Sequence, residues 1–349
     1  MVPADGNFTA SIAKGNPKLG EVQGQTRQHS VLINLLGVKQ LLVCVNKMDC
    51  DVAKYGEPRY IEIRDEIQHM LKKVGWKGDF VDKSVPVLPI SGWLGDNLIK
   101  KSDKMAWWKG MDILVDKETI HVETLLDCLD KMIRIPPRNK DGLLRVPISG
   151  VYKIKGVGDV LTGRVEQGTV KPGDEVVFIP THSASTQCVG KVFTVEMHHK
   201  SVPEAQAGDN VGMNIKGLPK ENMPRVGDIM ILKKDGTLGK AKSFTAQIQV
   251  MNHPGELKAG YCPIAFVRTG RSAVKMTEIK WKMGKETGNQ KVDAPANIKA
   301  GEMGECTFEP QQAFVVDSFK ACEGLGRVAI MEGNSVVMLG KVVTIVNGD

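Results

Sequence analysis

The residues best suited to ligand chemistry are Asn46-Lys47-Met48-Asp49, which directly follow the apolar run 41–45. An aspartate carboxylate can accept hydrogen bonds from the two donors on one edge of guanine, and an asparagine amide can donate to the acceptor edge. The stem of Lys47 can lie along the base plane while its ammonium stays in solvent. These residues predict a guanine-binding loop in which Asp49 selects GTP over ATP, because adenine lacks the donor pair. The alternative is a strand-ending turn with a solvated aspartate.

A second apolar run, 85–90, ends in Ser91-Gly92-Trp93. Small residues at this point allow backbone N–H groups to approach the guanine O6. Ligands of open α/β sheets bind beyond the carboxyl ends of the strands, where both loops are expected. We therefore predict that Ser91, Gly92 and Trp93 assist the guanine-binding loop.

The sequence lacks the loop that normally holds nucleotide phosphates. The pattern Gly-x-x-x-x-Gly-Lys-Ser/Thr does not occur in the 349 residues, because no Gly-Lys pair is followed by a hydroxyl residue. Such a loop cradles the phosphates and helps to hold Mg²⁺. Since residues 1–6 also resemble the middle of a strand, we expect the chain to be the carboxyl-terminal part of a larger protein.

The composition is that of an ordinary globular protein, with 42% hydrophobic and 25% charged residues. No apolar stretch approaches the ~20 residues of a membrane span. The seven cysteines are scattered without a Cys-x-x-Cys pair, which argues against a zinc site and for a reducing compartment. Cys44, Cys128 and Cys262 are expected in the core. The net charge of +7 suits a polyanionic partner, but mild basicity is also common in soluble proteins.

Residues 1–136 alternate strand and helix patterns, which predicts a parallel sheet covered by helices. Helices are expected at 25–36, ending before Gly37, from Pro58 to about residue 74, and from about Thr119, where apolar residues recur at helical spacing. The proline-containing segment 135–142 predicts a linker. After it, short β-rich runs separated by turn residues predict antiparallel barrels, with a second linker at 233–242 and a final hairpin turning near residues 332–334.

Several long motifs occur together in one order. They are 24–29 (GQTRQH), 37–41 (GVKQL), 45–49 (VNKMD), 89–97 (PISGWLGDN), 163–168 (GRVEQG), 195–199 (VEMHH) and 252–255 (NHPG). Through them the whole chain resembles the translation elongation factor 1-alpha family. Residues 1–7 and 97–115 make it most similar to the elongation factor-like subfamily of algae and protists.

The resemblance implies a GTPase that delivers aminoacyl-tRNA to the ribosomal A site. The implied fold is an α/β partial GTP-binding domain (parallel sheet with helices), residues 1–137, followed by two antiparallel β-barrels, 138–238 and 239–349. It further implies a cytoplasmic, monomeric protein that uses GTP or GDP with Mg²⁺, binds the ribosome and a guanine nucleotide exchange factor, and makes no membrane contact. The family's phosphate loop, switch regions and catalytic histidine have no counterpart here, so no catalytic residue is expected in this chain and it is expected to be inactive alone.

The resemblance also implies contacts with aminoacyl-tRNA. Glu196, His198 and Asn210 correspond to positions that hold the terminal adenosine and esterified amino group, and Arg225 to the position that meets the 5′ phosphate. Tyr152 would line the side-chain pocket, and Arg327 and Gly333 would lie near the T stem. Without the resemblance, a polar strand end explains His198-His199 better than a functional role does, and Tyr152 is equally explained as a barrel-core aromatic.

Two other functions remain open from the sequence. One is a related translational GTPase that recognises a protein, of the release-factor or ribosome-rescue type. The other is a GTPase subunit of sulfate activation. The string 196–199 (EMHH) with Asn210 favours the tRNA carrier, because the other two proteins have no aminoacyl end to hold.

Overall fold

The computed structural model describes residues 1–15, 23–35, 37–251, 253, 255–333 and 335–348. The chain divides into two compact units, Met1–Pro136 and Pro137–Asp349. Four residues of the sequence predictions lie outside the described residues, as does the side chain of Leu35. These four residues are Leu36, Asn252, Pro254 and Asn334.

The first unit alternates strands and helices. In chain order its elements are β1 (Val2–Pro3), α1 (Phe8–Ile12), α2 (Gln25–Leu35), β2 (Val43–Asn46), α3 (Glu57–Lys73), α4 (Gly78–Ser84), β3 (Val87–Pro89), a 3₁₀ turn (Asp103–Met105), β4 (Met111–Val115), β5 (Glu118–Val122), α5 (Leu125–Asp127) and a π-helix (Cys128–Met132). Strands β1, β2 and β3 form a parallel sheet in that order, in which Val45 pairs with Val2 and with Pro89. The predicted parallel sheet with helices is confirmed.

Helix α3 illustrates why this part of the sequence could be predicted. Gly56 is its N-cap and Pro58 lies in its first turn, where the missing proline N–H costs no helical hydrogen bond. Apolar residues at helical spacing are buried against the sheet, and Gly75 follows the helix with a φ of +108°. These buried residues are Ile63, Ile67, Met70 and Leu71.

The start predicted for the last helix, at about Thr119, is wrong, although the helix itself is present over residues 125–132. That segment forms strand β5, which pairs with β4 in a hairpin that turns at Asp116 and Lys117, both with positive φ. The helix starts only after Thr124, whose hydroxyl accepts a hydrogen bond from Asp127 N while the Asp127 carboxylate accepts one from Thr124 N. This capping box fixes the start of the helix and leaves the preceding residues extended.

The second unit is built from antiparallel strands. In chain order they are β6 (Val146–Ile154), β7 (Gly158–Arg164), β8 (Thr169–Val170), β9 (Glu175–Ile179), β10 (Val189–Met197), β11 (Lys200–Val202), β12 (Ala205–Gln206), β13 (Asn210–Lys216), β14 (Ile229–Leu232), β15 (Ala241–Val250), β16 (Ile264–Val267), β17 (Gly270–Met283), β18 (Val292–Asp293), β19 (Met303–Pro310), β20 (Arg327–Glu332) and β21 (Ser335–Asn347); a 3₁₀ turn (Lys285–Thr287) precedes β18.

These strands close into two barrels. The first has the order β10-β13-β7-β6-β14-β9 and closes through pairing of β9 with β10. The second has the order β16-β20-β21-β15-β19-β17 and closes through β16 and β17. Each barrel has six strands in its ring, so the prediction of two antiparallel β-barrels is confirmed.

Two smaller expectations are wrong. Cys262 is exposed rather than in the core, because it alternates with the buried Pro263 just before β16. Strand β15 begins at Ala241, within the predicted second linker.

Candidate guanine-binding and nucleic-acid sites

Asn46 joins the two loops of the predicted guanine site. It is the last residue of β2, and its Oδ1 accepts hydrogen bonds from the backbone N–H of Lys47 and of Gly92, both at 2.8 Å. Because Oδ1 is occupied twice, the orientation of the amide is fixed, and Nδ2 is the group left to donate to a ligand. Asn46 therefore fixes the two loops relative to each other as well as presenting a donor.

Gly92 lies close to the Asn46 amide. A Cβ at this position would lie 3.2 Å from Asn46 Oδ1 and 3.5 Å from Nδ2. A larger residue would therefore press on the amide that joins the loops.

Lys47 is held by Asp5, a residue that sequence reasoning missed. Its Nζ lies 2.7 Å from Asp5 Oδ2, and its backbone is left-handed with a φ of +65°. The hydrogen bond with Asp5 raises the pKa of the Lys47 ammonium, and the same bond lowers the pKa of the Asp5 carboxyl. Asp5 lies 42 residues earlier, on the loop after β1, so only the parallel pairing of β1 with β2 brings the two together.

Asp49 has an unsatisfied acceptor. Its Oδ1 is buried and has no hydrogen-bond partner among the described residues. A buried polar atom without a partner costs free energy and calls for an explanation. The donor edge of a guanine base would supply that partner, so the residues fit a guanine nucleotide.

Ser91 and Trp93 have different environments. Ser91 is buried, and its Oγ accepts a hydrogen bond from Leu94 N at 3.1 Å, so its side chain shapes the loop. Trp93 is 90% exposed and offers a flat apolar surface beside Gly92.

Asp96 supports this second loop and was also missed. Its carboxylate accepts hydrogen bonds from Ser102 Oγ (2.7 Å), Tyr55 Oη (2.8 Å) and Lys104 Nζ (3.3 Å). Burial raises the pKa of Asp96, but these hydrogen bonds outweigh it and the pKa lies below its ordinary value. Since Tyr55 follows the guanine-binding loop, its bond to Asp96 is a second link between the two loops. Asp96 lies inside the motif 89–97, and its place in that motif was the sequence signal that could have identified it.

In the second unit, Glu196, His198 and Asn210 line one cleft of about 730 Å³. Glu196 lies opposite Gly212 on the neighbouring strand, and His198 lies in the β10–β11 turn with a φ of +50°. The second barrel contributes Arg268, whose Nη2 donates to Glu166 Oε2 at 2.7 Å. The structure thus brings Arg268 of the second barrel to the same cleft as Glu196, His198 and Asn210.

Tyr152 is not one of the residues that line this cleft. It is 54% exposed on β6, so it is not a core aromatic. A Cβ added to Gly150 would meet both the Tyr152 ring (2.6 Å) and Thr162 Oγ1 (2.7 Å), and Thr162 lines the cleft. The Tyr152 ring therefore lies close to a residue of the cleft lining.

The other predicted contacts lie elsewhere. Arg225 is exposed and lines a different cleft of about 1260 Å³. Arg327 Nη2 donates to Glu323 Oε1 at 2.6 Å, and its guanidinium lies 4.9 Å from the Phe319 ring centroid. Gly333 lies in the β20–β21 turn with a φ of +56°. The structure does not bring these three residues to the cleft of Glu196.

In the part of the chain that the structure describes, no group of three or more His, Cys, Asp or Glu side chains could hold a metal ion. Among the same residues, no helix is long and apolar enough to cross a membrane.

Comparisons with known proteins give consistent results. Residues 9–135 match the model of the elongation factor Tu GTP binding domain, 158–231 that of elongation factor Tu domain 2, and 243–343 that of the GTP-eEF1A C-terminal domain-like family. The chain is 37% identical to elongation factor 1-alpha of Onchocerca volvulus over 337 residues, which is 97% of this chain and 68% of that protein.

Two solved structures are also similar. A structure of sup35 complexed with GMPPNP is 25% identical with a TM-score of 0.54, and covers 99% of this chain and 78% of its own. A structure of sup35 complexed with GDP is 24% identical with a TM-score of 0.53, has the same coverage and shows the fold alone.

Proposed function

Because the chain belongs to the elongation factor 1-alpha family of GTP-binding translation factors, we propose that it acts in GTP-dependent delivery of aminoacyl-tRNA to the ribosomal A site. The observation that carries the proposal is the convergence of Glu196, His198 and Asn210 on one cleft. This cleft offers a carboxylate, an imidazole and an amide, which suit the polar end of a charged tRNA.

Guanine recognition is assigned to the loops that Asn46 joins. Asp49 accepts from the N1–H and N2–H₂ donors of the base, and its unpaired buried oxygen supports this role. Asn46 Nδ2 donates to the acceptor edge, Lys47 and Trp93 cover the two faces of the ring, and Ser91 and Gly92 bring backbone N–H groups towards O6.

The phosphates of the nucleotide are assigned no residues. The loop pattern that cradles phosphates does not occur in the sequence, and no catalytic residue is assigned. We therefore propose that this chain by itself binds GTP or GDP weakly and does not hydrolyse GTP. Mg²⁺ would accompany the phosphates of a bound nucleotide.

The aminoacyl end is assigned to the cleft at the first barrel. Glu196 and His198 hold the terminal adenosine, Asn210 holds the esterified amino group, and Tyr152 borders the side-chain pocket. Arg225 contacts the 5′ phosphate, and Arg327 and Gly333 lie near the T stem. Because Arg327 donates a hydrogen bond to Glu323, we assign it mainly to the shape of that surface and less to its positive charge.

The domain limits 1–137, 138–238 and 239–349 follow from the same assignment and are supported by the division at Pro136. We further propose a monomer in the cytoplasm, with the ribosome and a guanine nucleotide exchange factor as partners, within the elongation factor-like subfamily.

An electrophoretic mobility shift with charged and uncharged tRNA tests this function. The 349-residue chain should retard aminoacyl-tRNA at lower protein concentration than the same tRNA without its amino acid. Equal retardation, or none, would contradict the proposal. A release-factor or rescue-type GTPase, or a subunit of sulfate activation, would give that result.

A further inference from the structure

The cleft that contains Arg225 carries unpaired positive charge from both barrels. Its basic lining residues are Arg225 of the first barrel, Lys240 between the barrels and Arg271 on β17 of the second barrel. All three are exposed, and among the described residues none forms an ion pair with a carboxylate. Three cations that share a cleft without a counter-ion indicate an anionic ligand.

The one acidic residue lining the described part of this cleft is Asp228. It is 3% exposed, and its carboxylate accepts hydrogen bonds from Thr181 Oγ1 (3.0 Å) and from the backbone N–H of Arg225 (2.8 Å). Three cations and one carboxylate leave an excess of two positive charges. Asp228 therefore shapes the Arg225 turn without cancelling the charge of the cleft.

A close backbone contact explains how the two arginines meet. Gly227 has a φ of +101°, and a Cβ there would lie 3.4 Å from Thr269 O and 3.5 Å from Gly270 Cα. Arg225 is two residues before Gly227, and Arg271 directly follows Gly270. The contact between these two turns thus places one arginine from each barrel on the same cleft.

We propose that Arg271 is a second residue for the 5′-terminal phosphate of tRNA, acting together with Arg225, so that this phosphate is bound by both barrels. The proposal rests on the function proposed above. A terminal phosphate carries more charge than an internal phosphodiester and presents three oxygens, which suits two planar guanidinium groups. Lys240 adds a positive charge to the same cleft.

The test measures binding of an aminoacylated tRNA acceptor-arm minihelix with either a 5′ phosphate or a 5′ hydroxyl, over a series of salt concentrations. The variants are Arg271→Gln and Arg271→Lys, and the matched control is Lys320→Gln, which removes an exposed charge of the second barrel outside the cleft. Wild type and K320Q should prefer the phosphorylated RNA. R271Q should bind it about tenfold more weakly, with a smaller salt slope. R271K should retain part of the preference.

Arg271 is exposed, so R271Q is expected to fold, and its thermal melt should match that of K320Q. If R271Q keeps the full preference for the 5′ phosphate, or weakens both RNAs equally, the role of Arg271 is wrong while the proposed function stands. If the wild-type chain binds neither RNA, the proposed function fails and the role of Arg271 fails with it.

Discussion

At the residue scale, the guanine site depends on two side chains with different tasks. Asp49 has a buried oxygen without a partner among the described residues, and a donor on a ligand would offset the free-energy cost of that oxygen. Asn46 uses its carbonyl oxygen for contacts within the protein, which leaves its amide nitrogen to donate to a ligand. One side chain is therefore suited to accept from the base and the other to donate to it.

Asp49→Asn should reverse the preference between GTP and xanthosine triphosphate. Xanthine has a carbonyl where guanine has its amino group, so an amide can donate where the carboxylate could only accept. Saturation-transfer NMR detects the weak binding expected of the 349-residue chain, and competition between the two nucleotides gives the ratio. An unchanged ratio would mean that Asp49 does not contact the base.

Asn46→Asp and Asn46→Ala should separate the two tasks of Asn46. Aspartate keeps an acceptor for the N–H groups of Lys47 and Gly92 but loses the Nδ2 donor, so N46D should melt near wild type and bind guanosine weakly. Alanine loses both the acceptor and the donor, leaves the N–H of Gly92 to solvent, and should also lower stability by about 0.5–1.5 kcal/mol. Thermal melts and NMR titration with guanosine measure the two effects. Equal melts for both variants would contradict the linking role of Asn46.

The sequence was sufficient to identify the residues proposed to contact the base but not the residues that support them. Asn46, Asp49 and Gly92 lie in short motifs after apolar runs, and such motifs can be recognised locally. Asp5 reaches Lys47 only because β1 pairs with β2, and Tyr55 reaches Asp96 only because the second loop folds back towards the first. Each of these contacts joins residues about 40 positions apart. A one-dimensional pattern carries no signal for a pairing of this kind.

At the element scale, short polar contacts decide where elements begin and how they join. The capping box at Thr124 starts a helix where apolar spacing alone predicted an earlier start. Arg145 joins the two barrels: it is 2% exposed, and its guanidinium donates to Asp235 of the connecting segment and, at 3.3 Å, to Asp317 of the second barrel. Its position next to Leu144 at the start of the first barrel gave no sequence signal for this role.

Asp127→Asn should weaken the first unit in a pH-dependent way. The hydrogen bond from Lys131, followed by those from the backbone of Glu123 and from Thr124, lowers the pKa of Asp127 to about 2. A lowered pKa means that the contribution to stability is complete above the ordinary value of 3.8 and is lost as the pH falls towards 2. At pH 7, D127N should lower the free energy of unfolding by about 1 kcal/mol.

Urea unfolding of the wild type and of D127N at pH 7 and pH 3 measures the free-energy contribution of Asp127. The difference between them should shrink by roughly half at pH 3, because Asp127 of the folded protein is still ionised while that of the unfolded chain is mostly protonated. A difference that stays constant with pH would assign the effect to the amide's geometry instead of the charge.

Arg145→Ala should destabilise the barrel unit strongly. It leaves Asp235, whose side chain is 2% exposed, as a buried carboxylate without its cation, which costs about 3–5 kcal/mol. The matched control is Arg268→Ala, which removes the more exposed inter-barrel pair with Glu166 and should cost about 0–1 kcal/mol. Urea unfolding followed by far-ultraviolet circular dichroism, which reports the strands of both barrels, measures both. Similar losses in the two variants would contradict a special role for Arg145.

At the scale of the whole molecule, the proposed ligand contacts lie on surfaces that are built from separate parts of the sequence. The cleft of Glu196 is mostly built by the first barrel, yet Arg268 and Thr269 of the second barrel line it. The barrel topology could be predicted from strand and turn patterns. The sequence did not predict which turns of the two barrels meet, because that depends on contacts between distant residues, such as the contact between Gly227 and Gly270.

Two groups of substitutions should therefore affect tRNA binding in different ways. Arg225→Ala removes a phosphate contact, so it should weaken the binding of all aminoacyl-tRNAs by a similar factor and reduce the salt slope by about one.

Glu196→Ala and His198→Ala remove contacts to the terminal adenosine and ester. They should reduce the preference for charged over uncharged tRNA by roughly 1–3 kcal/mol each, the cost of a lost buried hydrogen bond. Mobility shifts with charged and uncharged tRNA measure both effects, after thermal melts have shown that the barrels remain folded. All three residues are exposed, so near-normal melts are expected. If E196A and H198A fold normally and keep the full preference for charged tRNA, the cleft does not hold the aminoacyl end, and a protein partner becomes the better explanation of this surface.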